Sequence, residues 1–237
     1  MDEGEDDVRI LIELDHAERE GKRVAELLSA LRKRHDLGRF EFTKLVRVQP
    51  AGPTHSHPIL TLGTRFAETE DLLLSTYLHE QMHWYLWRLG GPDHDPIAVF
   101  FDELVRRYPQ APIKLPEGAR SYEQTYLHIV VCWLELAAVT ELIGRERATA
   151  IVNATWGYRW IYRTVIADWD PLRSLLAAHG ILPMRTPDEL DMEERLRARR
   201  PAPKTSGARK RTPAAKTPPL PRKAPRKARA RGGRSSG

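Results

Sequence analysis

Residues 79–83 read HEQMH inside the run DLLLSTYLHEQMHWYLWRLGG, which is otherwise largely apolar and aromatic. A charged or polar group buried in such surroundings without a partner is strongly unfavourable, so these side chains need something to bind. On a helix His79 and His83 stand at i and i+4, one turn apart on one face, where both imidazoles can ligate one tetrahedral metal ion. Glu80 lies about 100° round the helix from His79, within reach of a metal-bound water but not of the metal. These are the parts of a water-activating centre: the metal polarises a carbonyl and brings the water's pKa toward about 7, and the carboxylate takes the proton. The pattern H-E-x-x-H therefore points to Zn2+ as cofactor, with His79 and His83 as ligands and Glu80 as general base.

The stretch from ILTLGTR (59–65) through this helix resembles the zincin-like HExxH metallopeptidases over residues 59–89, and indicates no narrower family. In those enzymes an edge strand just before the active-site helix holds an extended substrate by main-chain hydrogen bonds. The resemblance thus implies a peptide or protein substrate, with Leu60, Leu62 and Arg65 as substrate-binding positions; an ordinary sheet strand is the alternative. The metzincin extension HExxHxxGxxH is absent, because Leu86 and Leu89 stand where it has Gly and His. His94, past the helix end, is expected to be a surface-loop histidine.

A third ligand must come from elsewhere, and gluzincin-type members of the superfamily take it from a second helix. In YEQTYLHIVVCWLELAAVTELI (122–143), His128, Cys132 and Glu135 share one helical face. Glu135 sits in an apolar run where an unpaired carboxylate is costly, so it is expected to touch the metal or a group that does. Neutral imidazole suits zinc, which favours His128 as the ligand and Glu135 as its support, with the reverse assignment open. Cys132 is expected to be a free core cysteine. Tyr122, Tyr126, Tyr158, Tyr162 and Arg65 are all candidates for stabilising an oxyanion, and the sequence does not choose among them. The aromatics of WGYRWIYR (156–163) have helical spacing and read as packing.

The elements that must position these groups follow from periodicity. VRILIEL (8–14), FEFTKLVRV (40–48) and ILTLGTR (59–65) read as strands, and Val24, Leu27, Leu28 and Leu31 form the apolar stripe of a helix between the first two. Thr69 is a candidate N-cap for the HEQMH helix, with Glu70 and Asp71 in its first turn and Gly90-Gly91 as its stop. Helices are further expected over 95–108, from a Ser121/Gln124 capping box to Gly144, and around 146–166 and 171–180. Strands first and helices after give an α+β fold: a small N-terminal β-sheet with a mostly helical remainder.

Charge divides the chain. Of 38 Lys and Arg, sixteen fall in residues 195–237, where there is no Asp or Glu; residues 1–194 hold the other 22 and all 32 acids. The expected organisation is a zincin-like hydrolase domain over 1–185 and a disordered Lys/Arg/Pro/Ala-rich tail over 186–237. The tail's composition suits non-specific contact of residues 195–237 with DNA or RNA phosphates. A single cysteine fits a reducing compartment, the acidic start lacks the features of a signal peptide, and no uncharged apolar run reaches membrane-spanning length. The expectation is a cytoplasmic protein without membrane contact: a zinc-dependent hydrolase, above all a peptidase. The alternative is a nucleic-acid-associated protein with a structural or vestigial zinc site, acting through its tail.

Overall fold

The computed structural model describes residues 8–12, 18–49, 52–66, 68–90 and 97–199. Strands β1 (Arg9–Ile12), β2 (Leu45–Val48) and β3 (Leu60–Leu62) form a parallel sheet in the order β1-β2-β3, with Arg9 opposite Leu45 and Val46 opposite Leu60. Parallel neighbours need a crossover, and α1 (Glu18–Arg34) supplies it between β1 and β2, burying Val24, Leu28 and Leu31. The strands are shorter than their apolar patterns suggest. Leu37–Phe40 winds into a 3-10 turn that buries Leu37 and Phe40, and Thr64–Phe66 forms another.

Helices make up the rest: α2 (Glu70–Gly90), α3 (Phe101–Arg107), α4 (Tyr122–Ile143), α5 (Arg145–Ala154), α6 (Arg159–Ala167), α7 (Trp169–Ala178) and α8 (Pro187–Arg199). This is the expected α+β architecture. α2 starts where Thr69 Oγ1 accepts from Leu72 N–H at 3.1 Å, and α4 where Ser121 Oγ accepts from Gln124 N–H at 3.2 Å. Gly144, at φ +86°, ends α4 in a conformation costly for other residues. α2 and α4 pack against each other at the centre of the fold, and α3 and α6 both pack on α4. α4 has the length and mean hydropathy, 1.7, of a membrane span, yet two-thirds of that stretch is buried inside the fold, as a core helix.

Three expectations need correction. The helix expected over 95–108 begins only at Phe101: residues 97–100 are a turn, and 95 and 96 lie outside the described residues. The helix expected over 146–166 is two helices, broken where Tyr158 takes φ +59°. The folded part also does not stop at 185. α8 carries a capping box of its own, with Glu189 N–H donating to Thr186 Oγ1 at 3.3 Å and Thr186 N–H to Glu189 Oε2 at 2.7 Å, and Pro187 at its first position. Leu190 is buried, and the Arg88 guanidinium of α2 pairs with Asp191 and Glu194. The expected disorder and nucleic-acid contact of residues 200–237 lie outside the described residues.

One polar cluster fixes α2 from the side that faces α1. Buried Glu41 accepts from Arg32 Nε at 2.8 Å and Nη2 at 3.1 Å, and from Tyr77 Oη at 3.0 Å. Gln81, one turn after Tyr77, donates to the Tyr77 hydroxyl at 3.0 Å and to Thr43 O at 2.9 Å, and accepts from Thr43 N–H at 3.0 Å.

Candidate metal centre

The opposite side of α2 carries Ser75, His79 and His83, each four residues from the last and therefore stacked along one face. α4 lies against that face and adds His128 and Glu135. The ring centroids of His79 and His83 are 5.2 Å apart, those of His79 and His128 5.4 Å, and those of His83 and His128 5.0 Å. Each ring offers a nitrogen within 4.8 Å of the other two.

The remaining ring nitrogens explain the orientation. His79 Nδ1 meets Glu135 Oε2 at 2.9 Å, and His128 Nδ1 meets the main-chain carbonyl of Gln124, one turn back, at 2.7 Å. An acceptor at Nδ1 places the proton there and leaves the Nε2 lone pair for a metal. Glu135 is 1% exposed and accepts from Tyr162 Oη at 2.8 Å on Oε2 and from Ser75 Oγ on Oε1. Both of its oxygens are thus committed to orienting neighbours. A second cluster, His79 with Cys132 and Glu135, is close enough to ligate, but it would compete with those bonds; Cys132 is fully buried, and burial raises its pKa away from the thiolate.

Electrostatics favour a ligand set in which neutral rings meet a metal. Burial pushes His83 well below the ordinary histidine range and His128 down to about 3, with charge on His79 adding to both. For His79 burial also disfavours charge, but its contacts with Cys132 and Glu135 outweigh it and raise the metal-free ring; the same acceptor makes Nε2 a better donor to a metal. Glu80 is 8% exposed and, among the described residues, its carboxylate has no hydrogen bond or ion pair. Burial lifts its pKa to about 7, against the pull of His79.

Glu80 opens on a cavity of about 370 Å³, lined also by Leu72, Arg65, Arg120, Trp156 and Tyr158. The four tyrosines separate here. Tyr122 is half exposed, Tyr126 donates to Tyr108 O at 2.8 Å, and Tyr162 is bonded to Glu135. Tyr158 stacks on His79 at 5.7 Å and lies 4.5 Å from the His128 ring, with its hydroxyl unbonded among the described residues. Residues 156–158 are therefore cavity wall and not only packing, a correction to the reading from helical spacing.

The expected substrate edge needs a second correction. Leu60 and Leu62 are fully buried, and their main chain faces β2, where Leu62 O accepts from Gln49 N–H at 3.0 Å. The outer edge of β3 is already filled by its own chain: Thr61 and His55 exchange main-chain hydrogen bonds of 2.8 and 3.0 Å, and Gly63 N–H donates to Thr54 Oγ1 at 2.9 Å. Of the three expected substrate-binding positions, Arg65 alone reaches the cavity. His94 lies outside the described residues. Sequence reasoning did not include Ser75 or the Gln124 carbonyl; the i−4 spacing from His79 and from His128 was the signal available for each.

Comparison with protein-family models, with curated proteins and with solved structures finds no match for this chain. The residues described above carry the functional reading by themselves.

Proposed function

We propose that this chain is a zinc-dependent hydrolase of amide or peptide bonds, working as the zincin-like HExxH metallopeptidases do. The observation that carries the reading is the pairing of three converging imidazoles, two of them with Nδ1 already engaged, with a buried carboxylate that faces a cavity and has no partner among the described residues. The donor set fits zinc: three imidazoles offer nitrogens within 4.8 Å of one another, and one of them, His79, lines the cavity beside Glu80. A zinc ion held by His79, His83 and His128 would polarise the scissile carbonyl and acidify a water.

The chain's own groups do the rest. Glu80, with a pKa near neutrality, takes the proton as water adds to the carbonyl carbon, then returns it to the nitrogen as the C–N bond breaks, giving an acid and an amine. Tyr158, over the His79 and His128 rings, donates its hydroxyl to the oxygen that gains charge. Glu135 holds His79, and the Gln124 carbonyl holds His128, in the tautomer that ligates.

Glu80→Gln tests the reading. Zinc content should stay near one equivalent while hydrolysis falls by about a hundredfold to ten-thousandfold; a variant that keeps wild-type turnover would remove Glu80 from the mechanism.

A further inference from the structure

Among the described residues only two non-glycine positions take positive φ, Arg120 at +76° and Tyr158 at +59°, and both line the metal-site cavity. A left-handed backbone at a residue with a Cβ costs roughly 1–2 kcal/mol, and such strain concentrates where a side chain must be held in one place. Tyr158 has a place in the reaction proposed above. Arg120 does not.

The segment before Arg120 is built to hold it. Gly118 N–H donates to Lys114 O at 2.8 Å and Arg120 N–H to Ile113 O at 2.6 Å. Thr125 Oγ1 ties the loop to α4, donating to Pro112 O at 3.2 Å and accepting from Ala119 N–H at 3.0 Å. The loop closes so tightly that a Cβ on Gly118 would lie 1.8 Å from Pro112 O. At the end of this brace the Arg120 guanidinium has no hydrogen bond or ion pair among the described residues, and its charge acts on Tyr158 across the cavity. The acids of the same wall, Glu80 and Glu135, are assigned to proton transfer and to holding His79.

The cavity also limits what the substrate can be. Its volume of about 370 Å³ is toward the small end of ligand sites, which run from about 300 to 1,000 Å³. The β3 edge that would pair with an extended polypeptide is occupied by residues 54 and 55. A substrate that cannot be held along a strand must be held by a group, and the group recognised by an exposed guanidinium on a braced backbone, without an ion pair among the described residues, is a carboxylate.

We infer that Arg120 anchors a carboxylate of a short peptide or N-acyl amino acid in the metal-site cavity, so that the hydrolase acts on small acidic amides. The inference rests on the hydrolase reading for its chemistry, but the anchor can be read without turnover. The zinc-loaded full chain is titrated calorimetrically with N-acetyl-leucine, N-acetyl-leucinamide, and N-acetyl-glutamic acid α-amide, which carries its acid on the side chain. One of the two acids should bind about tenfold to a hundredfold more tightly than the neutral amide, and which one identifies the chain end or the side chain as the source of the carboxylate.

Arg120→Gln and Arg120→Gly should both erase the preference. The glycine variant guards against misfolding, since glycine relieves the φ of +76° and should leave the melting temperature at or above wild type. Equal or undetectable binding of acids and amide, or a preference that survives in both variants, would overturn the anchor. Hydrolysis of blocked dipeptides as free acids and as amides then separates the two ideas. Turnover without an Arg120-dependent acid preference refutes the anchor alone, whereas an Arg120-dependent binding preference with no turnover of any peptide refutes the hydrolase alone.

Discussion

On the side of α2 facing α1, buried Glu41 and Arg32 pair, Tyr77 donates to Glu41, and Gln81 joins Tyr77 to the main chain of Thr43. Every arm of that cluster ends on a partner. On the side facing α4, Glu135 is as deeply enclosed and as fully bonded, but the chain it begins runs through His79 to a ring nitrogen turned toward two other imidazoles. Beside it Glu80 remains buried and, among the described residues, without a hydrogen bond or ion pair. Two carboxylates in one core thus have opposite meanings. A closed cluster compensates its own desolvation and needs no ligand, whereas an open one is compensated only when something binds.

Substitutions can break or sharpen that contrast. The largest effect should come from the open side. Tyr158→Phe removes a hydroxyl that has no hydrogen-bond partner among the described residues, so kcat should fall by about a hundredfold or more with zinc content and melting temperature unchanged. Loss of stability in its place would make Tyr158 a packing residue.

Glu41→Ala comes next and should act on the fold alone. It removes the acceptor of the Tyr77 hydroxyl and the Glu41 partner of Arg32, costing roughly 2–3 kcal/mol in denaturant unfolding, below a fully buried pair because Arg32 is 24% exposed. Zinc stoichiometry of the folded protein should not change; if it does, the clusters are not independent. Glu135→Gln is the mildest and most diagnostic of the three. The amide keeps the shape and one acceptor, but holds His79 less firmly, so zinc affinity measured by chelator competition should drop about 10–100-fold. Unchanged affinity with lower stability would place Glu135 in the same class as Glu41.

The sequence made one side of this comparison visible and hid the other. HEQMH on a capped helix, and a carboxylate at Glu135 inside IVVCWLELAAV, are legible because spacing and burial cost act within one element. Arg32, Glu41, Tyr77 and Gln81 come from three segments, and nothing local marks them as partners. The same holds for Arg120, whose conformation depends on the loop behind it, and for the β3 edge, which reads as open until the 54–55 segment is seen lying on it. α8 is a different case. Thr186-Pro-Asp-Glu189 is a helix start that can be read directly, but the basic composition that follows masks it, and its single deeply buried residue, Leu190, gives little periodicity.

The placement of Tyr77 and Gln81 between and beside Ser75, His79 and His83 gives α2 the character of a keyed shaft. The lock toward α1 fixes the helix about its axis and along it, and so sets the azimuth at which the imidazoles face α4. Point substitutions on either side leave that indexing in place. Removing one residue, such as Leu78, would turn His79, His83 and Gln81 together by about 100° relative to Tyr77, so that the lock is split by the same step that swings the imidazoles away from α4.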